Sequence, residues 1–347
     1  MNYLSTEFSL FGRTFTPLHL LAGLGTITFA TTTLTVIRAL HIYLHRSKIS
    51  RYHHPLKTVT KNDSRVGASD QPWGLVTGAS SGIGLEIANQ LAERGFNVIL
   101  HGRNEAKLGK IVEGLQKKWP VRAFKMLLLD AALNEIPNFA KTVLDCINGL
   151  NLTVVIHNIG GSGEPVGIKV ETFEEYDATK VDSWINVNLR FSTQLTRVLL
   201  PTLIKNQPAL LMFISSGSAL IAVPFMSIYS GAKIYLNSFA QVLRAEFKLA
   251  GHDIEVQSQM PGTVATETSG RSEKDRGFTM PMADEWVRSM FDKVGYGSPV
   301  FSPWFGHRVQ AGIFGALPSF VTERLIVSIS KKVRKEINGA NPATRDT

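Results

Sequence analysis

Six short apolar runs, at 74–77, 97–100, 123–129, 152–157, 210–215 and 254–257, alternate with longer segments whose apolar residues recur every three or four positions, as at 182–200 and 230–249. The short runs read as buried strands and the longer segments as amphipathic helices. Their alternation predicts an α/β fold, a doubly wound parallel sheet with helices on both faces. A different pattern comes before it. Residues 18–37 hold no charge over twenty positions, about the length that crosses the hydrocarbon of a bilayer, although six threonines dilute the apolarity. A cleaved signal peptide is the rival reading, but the run is long for one and no clear small-residue cleavage site precedes Arg38.

These patterns divide the chain into a tail (1–17), a transmembrane anchor (18–44), a basic linker (45–70), a catalytic domain (71–266), a lid and helix (267–300) and a C-terminal extension (301–347). Segment 267–282 is polar, charged and turn-rich, which suits either a lid over substrate or a plain surface loop. In the extension, 309–317 is apolar and glycine-containing, Pro318 breaks it, and 320–329 continues with an apolar face before the basic run 331–335. Such short segments read as an amphipathic, membrane-associated hairpin, or as helices packed on the core.

Charge refines the picture. The 347 residues carry a formal +9, of which 1–65 supply +6 and 301–347 supply +4, leaving −1 in between. Basicity therefore flanks the domain rather than striping it, which suits an anionic lipid surface and argues against a nucleic-acid partner. Arg38, Arg46, Lys48, Arg51, Lys57, Lys61 and Arg65 follow the uncharged segment and only Arg13 precedes it, so the positive-inside bias turns the catalytic domain toward the cytosol. The lone Cys146 forbids an internal disulfide and fits a reducing compartment. No metal site is expected.

Candidate chemistry begins at T-G-A-S-S-G-I-G (77–84), which follows a strand pattern and opens into a helical one. Such a βα turn aims backbone N–H groups at an anion, here a dinucleotide pyrophosphate. Gly78 would allow the turn, Gly82 the approach of backbone to phosphate and Gly84 tight helix-to-strand packing, with Ser80, Ser81 and Ile83 on the same loop. Taken alone, the loop could equally be an ordinary turn. At the end of the second strand stands Arg103, with no acidic residue until Glu105, and an arginine there accommodates a 2′-phosphate. The cofactor expected is NADPH/NADP+.

Tyr229 and Lys233 stand four residues apart, on one helix face, so the ammonium can approach the phenol and lower its pKa. Such pairs also arise as a solvated lysine beside a packed ring. Here Ser216 lies thirteen positions before the tyrosine and Asn188 further upstream.

Together these motifs resemble the short-chain dehydrogenase/reductase family. The loop 77–84, H-N-I-G (157–160), I-N-V-N (185–188), I-S-S-G-S (214–218), Y-S-G-A-K (229–233) and P-G-T-V-A-T (261–266) match its motifs in family order. The resemblance implies a Rossmann-type domain in which Tyr229 donates a proton to a carbonyl oxygen while Ser216 hydrogen-bonds that oxygen. Lys233 would lower the phenol pKa and hold the nicotinamide ribose, and Asn188 would hold a proton-relaying water. Ser215 and Ser218 compete with Ser216, but the family's interval favours Ser216 and leaves the other two to strand-end hydrogen bonding. Asp130 would meet the adenine, Asn158 the adenine ribose side, and Thr263, Val264 and Thr266 the nicotinamide side. A non-catalytic binding subunit would be marked by loss of Tyr or Lys, and both are present.

The anchor, P-F-M-S-I-Y-S-G-A-K (224–233), D-E-W-V-R-S-M-F-D-K-V-G (284–295) and G-A-L-P-S (315–319) resemble very-long-chain 3-oxoacyl-CoA reductases and 17β-hydroxysteroid dehydrogenases of the endoplasmic reticulum. The implied reaction reduces 3-oxoacyl-CoA to 3-hydroxyacyl-CoA in fatty-acid elongation, with a steroid, sterol or specialised-metabolite ketone as the alternative. Arg271, Lys274 and Arg276 could meet CoA phosphates or be solvated loop charges. A homodimer is a further implication. Two positions depart from that group: His157 replaces the usual Asn, and 341–347 lacks a terminal di-lysine signal.

Overall fold

The computed structural model describes residues 7–10, 13–55, 71–161 and 171–340; Lys57, Lys61, Arg65 and the tail 341–347 lie outside them. The chain forms two compact units, Met1–Arg46 and Ser47–Thr347.

The first unit holds a short antiparallel pair, β1 (Phe8–Leu10) and β2 (Arg13–Phe15), and the long helix α1 (Pro17–Leu44). Thr16 caps α1 by accepting from the His19 N–H, and Pro17 sits where no intrahelical N–H bond is lost. The threonines that dilute its apolarity are partly masked. Thr26, Thr28, Thr31 and Thr35 each donate their hydroxyl to the carbonyl four residues back, at 2.8–2.9 Å, which spends the donor inside the helix. By length and composition α1 can cross a membrane, and its large apolar side chains from Leu18 to Ile37 are exposed.

The second unit is a doubly wound sheet. In chain order its elements are β3 (Pro72–Val76), α2 (Gly82–Glu93), β4 (Asn97–Gly102), α3 (Glu105–Lys118), β5 (Phe124–Leu128), α4 (Phe139–Ile147) and β6 (Asn151–His157). Then follow α5 (Ala178–Ile185), a π-turn at Asn186–Arg190, α6 (Phe191–Lys205), β7 (Ala209–Ile214), α7 (Ser227–Leu249) and β8 (Ile254–Gln259). The chain continues through α8 (Ala283–Asp292), β9 (Val300–Phe301), α9 (Phe305–Ala316) and α10 (Ser319–Ala340). Seven parallel strands lie in the order β5-β4-β3-β6-β7-β8-β9. The order reverses between β3 and β6, and ligands of such sheets bind outside the strand carboxyl ends at that point.

Central strands are covered on both faces, which is why their sequences read as unbroken apolar runs. Leu75, Val155, Leu211 and Phe213 face a layer that includes Val143 of α4, Leu195 and Leu199 of α6 and Leu236 of α7. Val76, Val98, Leu100, Ile156 and Met212 face Ile87 and Leu91 of α2, Leu108 of α3 and Trp286 and Met290 of α8.

The structure differs from the sequence reading in three places. The helix expected over 182–200 is interrupted by the π-turn, and such turns re-aim side chains at functional sites. Strand β9 has two residues and no apolar run to announce it. In the C-terminal extension residues 319–340 form one continuous helix, α10, in which Ile326 and Ser330 are buried whereas Leu325, Ile329 and Val333 form an exposed apolar stripe just over two turns long.

Two histidines lie inside the sheet. His101 on β4 stacks on Phe191, and His157 on β6 stacks on Phe213. Burial pushes their pKa values down to about 4 and about 3. The unfolded chain takes up these protons near pH 6.5 while the folded chain refuses them, so stability is full above that pH and falls as pH descends toward 4. We predict a denaturant midpoint for the detergent-solubilised chain that is lower at pH 5 than at pH 7.5. His157→Asn should shrink that difference, and an unchanged difference would remove His157 from the acid response.

Candidate active site

The crevice at the carboxyl edge of the sheet is built by loops after β3, β6, β7 and β8. After β3 the glycine loop turns into α2, with Gly82 in the left-handed region at φ +54°. A Cβ on Gly84 would lie 2.1 Å from the Gly78 carbonyl oxygen and 2.5 Å from Asn158 Nδ2, so no larger residue fits. Asn158 Nδ2 donates to the carbonyls of Thr77 (3.1 Å) and Gly78 (3.3 Å), and Thr77 Oγ1 accepts the N–H groups of Asn158 and Ile159, each at 3.0 Å. The sequence reading puts Asn158 beside the adenine ribose; in the structure its amide braces the glycine loop.

Ser80, Ser81, Gly82 and Ile83 are all partly exposed at the start of α2. The N–H groups of a first helical turn have no partner within the helix and suit an anion. A Cβ at Gly102 would stand 3.8 Å from that of Ser80, which sets the exposed Arg103 beside this rim. Asp130 ends the neighbouring strand and accepts the Ala132 N–H at 3.0 Å. From the far side, Thr266 lies 3.4 Å from where a Gly82 Cβ would be, while Val264 is buried and Thr263 exposed. A cradle of backbone donors, an arginine at its rim and a glycine with no room for a Cβ fits a dinucleotide phosphate.

The second cluster gathers on Lys233, which is 2% exposed. Its Nζ donates to the Ile214 carbonyl at 2.8 Å and lies 5.4 Å from the centre of the Tyr229 ring. A Cβ on Gly160 would fall 2.7 Å from Lys233 Nζ and 3.1 Å from Asn188 Oδ1, so the loop after β6 packs close to both groups. Asn188 Oδ1 accepts the Gly161 N–H at 2.8 Å, and its Nδ2 donates to the carbonyls of Gly161 (2.7 Å) and Trp184 (2.9 Å). Its amide therefore staples the Gly161 turn to the π-turn, and only one lone pair of Oδ1 is left for the expected water. Ser216 stands near enough to Tyr229 for its hydroxyl to act on the phenol, and it accepts the Ser218 N–H at 3.1 Å.

Electrostatics correct one expectation. The sequence reading has Lys233 lowering the phenol pKa. In the structure burial raises the Tyr229 phenol above its ordinary value, against the neighbouring Ser216 hydroxyl, which lowers it. Burial likewise brings Lys233 down to about 8. Both groups lose water, and desolvation favours the neutral form of each.

With this geometry in view, comparison with known proteins is informative. A sequence profile described as short chain dehydrogenase matches residues 73–277. The chain belongs to this family. Among similar proteins, the very-long-chain 3-oxoacyl-CoA reductase of Mus musculus is 30% identical over 273 residues, covering 79% of this chain and 84% of that protein. That of Homo sapiens is 29% identical over 281 residues, with the same coverage. A solved structure of a 7β-hydroxysteroid dehydrogenase superposes with a TM-score of 0.62 at 18% identity, covering 74% of this chain and 96% of the other. A short-chain dehydrogenase from Sphingobium yanoikuyae in complex with NADPH gives 0.58 at 23% identity, covering 71% and 96%. These likenesses in structure establish the shared fold.

Several supports of this short-chain dehydrogenase escape sequence reading. His101 accepts the Gly78 N–H at Nδ1 (3.3 Å) and bonds the Leu129 carbonyl through Nε2 (3.2 Å), tying the glycine loop to the ends of β4 and β5. Nothing in its strand context marks it except a polar residue within a fully buried run. Ser215 donates to the Lys233 carbonyl at 2.9 Å, the strand-end hydrogen bonding expected of it. Ser218 differs: its buried hydroxyl has no partner among the described residues.

A paired glycine test follows. Gly84→Ala should reduce dinucleotide affinity at least about tenfold, because its methyl meets backbone oxygen rather than a movable side chain. Gly114→Ala on α3, where nothing lies within 4 Å, should instead stabilise the chain by about 0.5–1 kcal/mol. Fluorescence titration with NADPH and thermal melts read both, and undiminished affinity in Gly84→Ala would refute the packing argument.

Proposed function

We propose that this short-chain dehydrogenase is an NADPH-dependent ketone reductase at a membrane surface. Its substrate is a long-chain 3-oxoacyl-CoA and its product the 3-hydroxyacyl-CoA of fatty-acid elongation. The observation that carries the reading is the convergence of Ser216, Tyr229, Lys233 and Asn188 on one crevice beside a phosphate-type glycine loop. The resemblance to 3-oxoacyl-CoA reductases over 79% of the chain supports the substrate class.

The glycine loop from Gly78 to Gly84 would hold NADPH, with Arg103 available to its 2′-phosphate, and the bound nucleotide would supply a hydride to the carbonyl carbon. The oxygen then gathers negative charge, and two hydroxyls are in place to meet it. Tyr229 gives its proton to that oxygen and Ser216 donates a hydrogen bond to it. A phenol whose pKa is raised stays protonated at neutral pH, which suits an acid working in the reductive direction. Lys233, bonded to the Ile214 carbonyl, would use its remaining donors to hold the nicotinamide ribose and to restore the tyrosine proton through a water held by Asn188. Asp130 and Asn158 border the adenine side, and Thr263, Val264 and Thr266 the nicotinamide side.

Segment 267–282, with 3₁₀ turns at Glu267–Ser269 and Glu273–Asp275, acts as the lid. Two of its basic residues already have partners: Arg276 bonds Glu285, and Arg271 faces Asp275 at 3.6 Å. Exposed pairs of this kind are weak and exchange readily, so they do not bar a CoA phosphate, but Lys274 is the better contact. Helix α1 anchors the chain in the endoplasmic reticulum membrane with the catalytic unit in the cytosol. The exposed stripe of Leu325, Ile329 and Val333 beside Lys331, Lys332 and Lys335 suits the lipid interface.

NADPH consumption by the reconstituted chain tests the reading against a long-chain 3-oxoacyl-CoA, a steroid ketone and a blank. Turnover on the acyl-CoA that vanishes in Tyr229→Phe, with NADPH binding retained, is expected. Turnover on the steroid ketone alone would reassign the substrate, and undiminished turnover in Tyr229→Phe would overturn the mechanism. Arg103→Asp should raise KM for NADPH more than for NADH. Because the phenol must lose its proton before oxidation, the reverse rate should climb with pH toward 10 while reduction stays nearly flat between pH 6 and 8.

A further inference from the structure

Outside the catalytic cluster, the first turn of α9 holds a histidine that no motif predicts. His307 is 4% exposed and its ring is fully engaged. Nδ1 accepts the Gly262 N–H at 3.0 Å, which places the ring proton on Nε2, and Nε2 faces the carbonyls of Thr263 (3.1 Å) and Thr279 (3.2 Å). Gly262 and Thr263 belong to the loop after β8, and Thr279 belongs to the segment 267–282. Three chain segments far apart in sequence thus meet on one imidazole.

The surroundings are built around this contact. A Cβ on Gly262 would lie 2.6 Å from the His307 ring, so the glycine makes room for the imidazole. Trp304 Nε1 donates to the Phe278 carbonyl at 2.8 Å, and a Cβ on Gly306 would strike the same carbonyl oxygen at 1.9 Å. Phe305 meets Phe278 edge to face at 5.6 Å. The Ala265 N–H donates to the Pro281 carbonyl at 2.9 Å, which closes the ring of contacts between loop and lid.

We propose that His307 is a positioning residue for the reaction: through its two ring nitrogens it locks the loop at 262–263 and the lid at Thr279 into one rigid wall of the crevice. The inference rests on the reading of this crevice as the reductase site. Hydride transfer is sensitive to placement, because small displacements of a wall that seats the reactants lower the rate strongly. A lid fastened at its far end by α9 leaves motion to the free portion at 267–276.

The test compares His307→Phe, which keeps most of the volume and loses both bonds, with His307→Gln, whose amide can offer an acceptor and a donor again. Amide hydrogen exchange on the full-length chain is the first readout and needs no knowledge of the ketone. In His307→Phe, exchange should accelerate at 262–265 and 277–282 and stay unchanged at 78–84, with His307→Gln partly restoring protection. The second readout is steady-state kinetics with the acyl-CoA, where kcat should fall about 10- to 100-fold in His307→Phe and recover in His307→Gln. Gly262→Ala should be harmful alone and less so combined with His307→Ala, which vacates the space its methyl needs. Unchanged exchange at both segments, or acceleration spread evenly over the sheet, would overturn the proposal. If the wild type reduced no acyl-CoA while the exchange pattern appeared as stated, the substrate reading would fail and the clasp would stand.

Discussion

One buried amine organises the active crevice. Lys233 has almost no contact with water, so its ammonium must be paid in hydrogen bonds from the protein, and the first of these is the Ile214 carbonyl at the end of β7. That requirement fixes α7 against the sheet, with Ser215, the next residue after Ile214, gripping the lysine's own carbonyl from the same strand end. It also crowds Gly160 in the loop after β6, where a Cβ would press on the amine. The π-turn at Asn186–Arg190 then has a reason: it brings Asn188 to the Gly161 turn, where the amide makes three hydrogen bonds to the backbone. Tyr229, one helical turn before the lysine, is carried into the crevice by the same helix.

The electrostatics of this arrangement are those of a dry site. Removing water raises the phenol and lowers the ammonium, so the proton on Tyr229 is held tightly and that on Lys233 loosely. An acid that must give its proton to a carbonyl oxygen only after hydride has arrived gains from such a setting, because it does not ionise early. Under the proposed reduction, such a site would leave the timing of proton release to the charge that grows on the substrate.

What could be read in advance was whatever depends on local pattern. Five of the six long strands were visible because they are buried on both faces, the edge strand β5 because of its apolar run, and the helices because their apolar residues recur on one side. Tyr229 and Lys233 were visible because a fixed i to i+4 spacing has a fixed geometric meaning. Strand β9 was not, since two residues carry no periodicity and its pairing with β8 is a tertiary event. The π-turn was equally silent, as its residues keep a helical apolar pattern. Arg103 could be singled out by its place after a strand, whereas the bracing by Asn158 depends on β6 lying beside β3, a neighbour set by sheet order and not by sequence distance.

The same cause hid the two histidines that hold the crevice open. His101 and His307 use their rings alike: Nδ1 accepts the N–H of a loop glycine, and Nε2 bonds a carbonyl of another segment, Leu129 for His101 and Thr279 for His307. Strand ladders end at this edge of the sheet, so the backbone groups of the loops after β3 and β8 cannot find partners by continuing the ladder. A neutral imidazole offers one acceptor and one donor on opposite sides of a flat ring, which lets it link two backbone segments where a hydroxyl is too short. Burial keeps both rings unprotonated, and an imidazolium would turn the acceptor at Nδ1 into a second donor facing an N–H. Neutrality is therefore a condition of the geometry: the low pKa of each ring and the position of each glycine loop are two expressions of the same packing.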